Sequence, residues 1–352
     1  MLWLEKYKPR DFNSMTDHTE IISILQKYNI HNIPHLIFHG KSGSGKKLIA
    51  YNLIKHLFGQ ISVPNVRTSE VKAGSRMIEV NFLEANEFIE ISPSDYNFQD
   101  KVIIQSIIKE MAQSRPVMSF FSTKKTPSIK FVIISAAHDL SHEAQAALRR
   151  TIEVYSECFR IILICSQLSK IIEPIRSRCV FVRIRGFKPQ EIKNHIKNIV
   201  TAENININEQ NIEQIIKISD GNMRRALGLL EILYLKHSEE VNKRLKLDLN
   251  HVKLEWEVVM DEISALVRRS HKTETIIEVR KKLYVLINSC ITAHCILMEL
   301  YKRFVIKESE ITRMKIVDLA LIYEERLRQG TKGIYHIEAF IIGCVCAFSK
   351  LL

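Results

Sequence analysis

The sequence predicts an α/β phosphate-loop domain with a mostly parallel sheet, followed by a helical remainder. Three observations carry this. The run Gly40-Lys41-Ser42-Gly43-Ser44-Gly45-Lys46-Lys47 has the spacing G-x-x-x-x-G-K and follows the apolar run His35–His39. A glycine-rich loop between strand and helix aims backbone N–H groups at phosphates, and the lysine adds a point charge. As far as about residue 187, short apolar runs alternate with amphipathic segments, the pattern of strands separated by helices. All eight prolines lie at or before Pro189, and the proline-free stretch Gln190 to Leu352 has helical apolar spacing.

In chain order, His35–His39 is the strand that feeds the loop, and Lys46 to Phe58 is the helix after it. The polar, irregular stretch Ser62 to Phe82 reads as an exposed loop or hairpin. Phe88-Ile89-Glu90-Ile91 is a second strand, closed by Ser92-Pro93-Ser94-Asp95. Lys101 to Gln113 is an amphipathic helix, Lys130–Ile134 a third strand, Ser141 to Tyr155 a helix, and Arg160–Cys165 a fourth strand. Such alternation implies a parallel sheet with ligands at the strand C-terminal ends. Glu191 to Val200, Asn211 to Ile218 and Met223 to Leu235 form a small helical unit, with Asn222 placed to cap its third helix. From about Leu249 several long helices follow.

The bulk numbers narrow the function classes. At 352 residues, 46% hydrophobic and 26% charged, the chain has material for two or three globular domains. A net charge of +12 is consistent with a polyanionic partner, most simply nucleic acid, and equally with a solvated basic surface. Seven cysteines without C-x-x-C spacing argue against a zinc site and for free thiols in a reducing compartment. The first ten residues lack an apolar signal region, and the run Ala339 to Phe348 is too short to span a bilayer. No membrane association and a cytosolic or nuclear location are expected.

The phosphate loop carries a defect. The position after Lys46 calls for a hydroxyl that holds Mg²⁺, and here it is Lys47, whose charge repels a metal. The third strand should end in two acids that organise the metal and the attacking water, and here it ends in Ser135 and Ala136. Asp139 lies three residues beyond and is expected to cap or partner the next helix, with His138 a surface residue. Binding of ATP or ADP is therefore expected, through Gly40, Ser42, Gly43, Ser44, Gly45, Lys46, Lys47 and Leu48, with hydrolysis absent or slow and Mg²⁺ disfavoured.

Trp3-Leu4-Glu5-Lys6-Tyr7-Lys8-Pro9, the helix Ala144–Glu153, the run Ile171-Ile172-Glu173-Pro174-Ile175-Arg176-Ser177-Arg178-Cys179 and the segment Gly221–Leu227 together carry a resemblance. The chain resembles the small subunits of the eukaryotic replication factor C clamp loader, within the AAA+ superfamily. It is most like the member whose loop ends in Lys-Lys and whose acidic strand end is degraded. The motifs cover about Leu2 to Glu231, and the helices beyond match in length and class only. The resemblance implies an AAA+ nucleotide-binding domain over 1–187, a helical lid over 188–240 and an α-helical collar over 241–352. It implies that Arg178 acts as an arginine finger on a neighbouring subunit's nucleotide. It also makes Arg224 a lid sensor, Ser166 a weak polar sensor, and Tyr7, Pro9 and Arg10 a segment packing by the adenine. Lys101, at a helix start, becomes the leading DNA contact, with Lys72 to Arg76 a weaker one. The partners implied are the other subunits of a hetero-pentamer, a sliding clamp and primer–template DNA, in the nucleus. A stand-alone AAA+ ATPase using Asp139 or Asp95 to organise Mg²⁺, and a nucleotide-independent scaffold with a vestigial loop, remain open on the residues alone.

Overall fold

The computed structural model describes residues 2–73, 76–92, 100–113, 129–156, 159–203, 205, 207–237, 254–269, 273–306, 308–330 and 332–349. The chain forms two compact units, Met1–Lys246 and Leu247–Leu352.

The first unit is built on a seven-stranded sheet. Its strands are β1 (His35–His39), β2 (Asn65–Ala73), β3 (Arg76–Glu84), β4 (Phe88–Ile91), β5 (Lys130–Ile134), β6 (Phe159–Cys165) and β7 (Cys179–Arg183). They lie in the order β2-β3-β4-β5-β6-β1-β7. From β4 to β7 every pairing is parallel, while β2 and β3 form an antiparallel hairpin at the edge. The four expected strands are present, and Ser62 to Phe82 resolves into the hairpin side of its alternatives. The strand β7 is an addition.

The central strands read as continuous apolar runs because both faces of the sheet are covered. Alternation then divides their side chains between two cores. Leu36, Phe38, Phe88, Phe131, Ile133, Ile162 and Ile164 pack with Ile49, Leu53 and Ile54 of α3 (Lys46–Phe58) and with Ile22 and Leu25 of α2 (Thr19–Leu25). Ile37, Ile89, Ile91, Val132, Ile134, Ile161 and Leu163 pack with Ile103, Ile104 and Ile107 of α4 (Asp100–Gln113) and Ala144, Leu148 and Ile152 of α5 (His142–Val154). Glu90 therefore falls on the α3 face, between Ile89 and Ile91, which face the other way.

Three further helices complete this unit: α7 (Pro189–Ala202), α8 (Glu209–Ser219) and α9 (Met223–His237). Two short helices, α1 (Trp3–Lys6) and α6 (Glu173–Arg176), precede them. The α1 turn is tied to this helical group: the Trp3 backbone N–H donates to Glu231 at 3.2 Å, and the Trp3 ring lies 5.0 Å from that of Tyr234.

The described elements of the second unit are all helices: α10 (Glu255–Arg269), α11 (Thr273–Asn288), α12 (Ala293–Val305), α13 (Glu310–Gln329) and α14 (Gly333–Phe348). They enclose a core that includes Met260, Leu283, Leu297, Phe304, Ile316 and Phe340. Two buttressing ion pairs, Arg280 Nε to Glu338 at 2.6 Å and Arg303 Nε to Asp261 at 2.7 Å, join helices across it. No helix among the described residues is long and apolar enough to cross a membrane.

Candidate functional site

The phosphate loop joins the end of β1 to the start of α3, and its glycines are there for their backbone. Gly43 and Gly45 have φ of 71° and 85°, in the left-handed region open to glycine. A Cβ on Gly43 would lie 1.7 Å from Asn222 Oδ1, so the loop and the α9 turn approach more closely than any side chain allows. The Met223 N–H donates to the Gly43 carbonyl at 3.3 Å, and Lys41 pairs with Asp220 at 3.2 Å. Asn222 Oδ1 accepts from the Arg225 N–H at 3.1 Å, the expected N-cap. We predict that Gly43→Ala, which strains the loop and displaces this cap, destabilises the first unit by about 2 kcal/mol. Urea unfolding followed through that unit measures it, and an unchanged midpoint contradicts the account.

Lys46 closes the loop on itself: its ammonium donates to the carbonyls of Gly40 at 2.7 Å and Lys41 at 2.6 Å. Burial lowers the Lys46 pKa, and the Arg224 guanidinium lowers it further. Arg224, exposed on the second residue of α9, thus shares the field of the loop with Lys46. Ser44 is fully buried and its hydroxyl has no partner among the described residues. An orphaned hydroxyl, a bent run of N–H groups and a half-buried ammonium fit a phosphate chain.

Next to Lys46 the chemistry changes. Lys47 pairs with Glu90 Oε1 at 2.6 Å. The same oxygen accepts from the Ser135 hydroxyl at 2.8 Å, and the other Glu90 oxygen accepts from the Tyr51 hydroxyl. The Glu90 side chain is only 5% exposed. The expected degenerate position Ser135 is thus recruited into a buried polar cluster around an acid that sequence reading missed. Its signal was a lone charge in an otherwise apolar strand. Ala136 sits beside it in left-handed backbone, φ 51°.

Asp139 corrects an expectation. It does not cap the following helix. Ser141 caps α5 by accepting from the Ala144 N–H at 3.1 Å, and Asp100 supports Ser141 by accepting from its N–H at 2.7 Å and its hydroxyl at 2.9 Å. Asp139 faces His138 at 3.5 Å and Lys170 at 3.7 Å instead. The β5–α5 link is a short 3₁₀ turn over Ala137–Asp139, which spends Asp139 before the helix begins. His138 is half-buried rather than at the surface, and burial lowers its pKa. Asp95 lies outside the described residues, as do the side chains of Lys72 to Arg76.

The remaining expected residues are spread over the first unit. Ser166 is exposed just past the end of β6. The Tyr7 hydroxyl donates to Glu203 at 2.6 Å, at the end of α7, and Lys6 pairs with the same carboxylate at 2.5 Å. Pro9 is half-buried and Arg10 exposed. Lys101, at the start of α4, pairs with the exposed Glu143 at 3.2 Å. Arg178, between α6 and β7, donates to the Pro174 carbonyl at 2.7 Å and pairs with Glu153 at 2.5 Å. Alongside lies a cavity of about 730 Å³ lined by Arg149, Arg150, Arg176, Glu153 and Pro174 among others, rich in guanidinium groups. His18 was not anticipated. It is buried in left-handed backbone, with neither ring nitrogen partnered among the described residues, and its ring lies 5.1 Å from that of Phe187.

Comparison with known proteins supplies three family matches. Residues 256–352 match the "Replication factor C subunit 3, C-terminal domain", 194–235 the "RCF1/5-like, AAA+ ATPase lid domain" and 18–188 the "DNA polymerase III, delta subunit". Among curated proteins, replication factor C subunit 3 of Arabidopsis thaliana is 33% identical over 100% of this chain and 99% of its own length. Replication factor C subunit 5 of Saccharomyces cerevisiae is 33% identical over 98% of this chain and 99% of its own. Replication factor C subunit 3 of Homo sapiens is 29% identical over 100% and 97%. Among solved structures, a single-substitution variant of Thermotoga maritima RuvB superposes with a TM-score of 0.51 at 15% identity, covering 85% of this chain and 90% of that one. That likeness speaks for the fold alone.

Proposed function

This chain belongs to the replication factor C subunit 3/5 family, and on that premise we propose that it is the clamp-loader subunit that holds a nucleotide without turning it over. It binds ATP or ADP at the loop of residues 40–48, assembles with the other replication factor C subunits into a hetero-pentamer in the nucleus, and helps set a sliding clamp on primer–template DNA. The observation that carries the reading is the contrast inside one loop. The phosphate cradle of Gly40, Gly43, Gly45 and Lys46 is intact, while Lys47 is bound to Glu90 and the strand end offers Ser135 and Ala136.

The division of labour follows from the chain's own groups. Residues 1–187 supply the nucleotide-binding domain, 188–240 the lid and 241–352 the collar. Lys46 and the loop N–H groups hold phosphate oxygens. Arg224, carried on the lid, adds charge to the same place, and the Gly43–Met223 contact couples loop to lid. Tyr7, Pro9 and Arg10 pack toward the base, and Ser166 offers a hydroxyl. Neither Ser135 nor Ala136 activates water. Arg178 supplies its guanidinium to the nucleotide of the adjoining subunit, and Lys101 meets a DNA phosphate.

Reconstitution tests the whole reading. Complexes assembled with this chain load the clamp onto primed DNA in the presence of ATP, and complexes lacking it do not. Full loading without this chain contradicts the proposal.

A further inference from the structure

The surroundings of Lys47 do not fit a magnesium ion. Such an ion is held by one or two carboxylates and by substrate phosphates. Here the expected hydroxyl is an ammonium and the expected acids are Ser135 and Ala136. The carboxylate that the fold does bring to this place, Glu90, is already engaged by Lys47, Ser135 and Tyr51. Its position on the α3 face of β4 buries that engagement. A carboxylate 5% exposed needs a cation and hydrogen-bond donors, and these three residues provide them. Burial and the bond to Glu90 raise the Tyr51 pKa, so that hydroxyl stays a donor. The Tyr51 ring also underlies the Lys47 and Lys8 ammonium groups at 5.7 Å and 5.2 Å.

We infer, on the premise that the loop holds a nucleotide, that Glu90 positions the Lys47 ammonium as a built-in cation, so that phosphates are held here without a divalent metal. The unpartnered, fully buried Ser44 hydroxyl marks the cradle in which those phosphates lie. Glu90 is a positioning residue: it acts through Lys47. A single tethered charge replaces a diffusible ion.

The test is calorimetric titration of the full-length chain with ADP, once with Mg²⁺ and once with EDTA. The wild-type affinities should agree within about twofold, since no metal contributes. Lys47→Thr restores the hydroxyl and frees Glu90, so its affinity should rise about tenfold when Mg²⁺ replaces EDTA. Adding Glu90→Gln to Lys47→Thr should abolish that difference, a response that a purely structural Glu90 would not give. Wild-type binding that is tenfold tighter with Mg²⁺ overturns the inference, and so does a Lys47→Thr chain indifferent to the metal. Loss of ADP binding on Lys46→Ala checks the underlying nucleotide reading separately. Absence of wild-type binding in both buffers removes that reading and the inference together. The wild-type comparison stands even where a variant fails to fold.

Discussion

Replacing Arg178 by Ala is expected to slow ATP hydrolysis at the adjoining subunit's site by about 10³-fold, the low end of what an arginine finger contributes. The planar guanidinium spreads its charge over the oxygens of the transferring phosphoryl group, which a lysine ammonium does not match, so Arg178→Lys should also fail. The resting geometry makes the arginine available. Its partner Glu153 is 41% exposed, and an ion pair of that kind is screened by solvent and weak. Glu153 also keeps a second cation, Arg149 at 3.3 Å, so withdrawing Arg178 strands no charge. The measurement is DNA- and clamp-stimulated ATPase of the assembled complex. It should fall by the share of one site, with this chain's own ADP affinity unchanged. Undiminished turnover removes the finger role.

Lys46→Ala is expected to have the opposite profile. The Lys46 ammonium donates to the carbonyls of its own loop, and phosphate oxygens compete for the same protons. Removing it should weaken nucleotide binding to this chain by about 10²-fold, as expected for a charge-assisted contact in a half-buried setting. Total turnover of the complex should stay near wild type, because on the proposed function neither Ser135 nor Ala136 activates water. A large fall in turnover with assembly intact shows that this site hydrolyses after all. The two substitutions separate holding a nucleotide from acting on a neighbour's.

The sheet and the loop were legible because local pattern dictates them. Apolar runs such as Phe131-Val132-Ile133-Ile134 can only be buried on both faces, and the glycine spacing admits few other conformations. β7 was missed although Cys179-Val180-Phe181-Val182 is itself an apolar run; it lies at the edge of the sheet with three of its residues exposed. Glu90 was missed for another reason. A strand's sequence says which side a residue faces but not what stands opposite, and the partners of Glu90 come from α3 and from the end of β5. Asp139 failed similarly. Its proximity to the helix start was local, whereas the true support for the Ser141 cap, Asp100, arrives from 41 residues away. Chain-local chemistry could be read directly, and chemistry assembled across the sheet could not.

The Lys47–Glu90 pair has a consequence for substitution. A mutation restoring a hydroxyl at position 47 would leave Glu90 buried without its cation, and a mutation restoring an acid at position 135 would set a second negative charge against it. Each single substitution of this kind passes through a less stable protein. The pair works as a ratchet: each single substitution toward a metal-binding site costs stability before it brings any gain in metal binding.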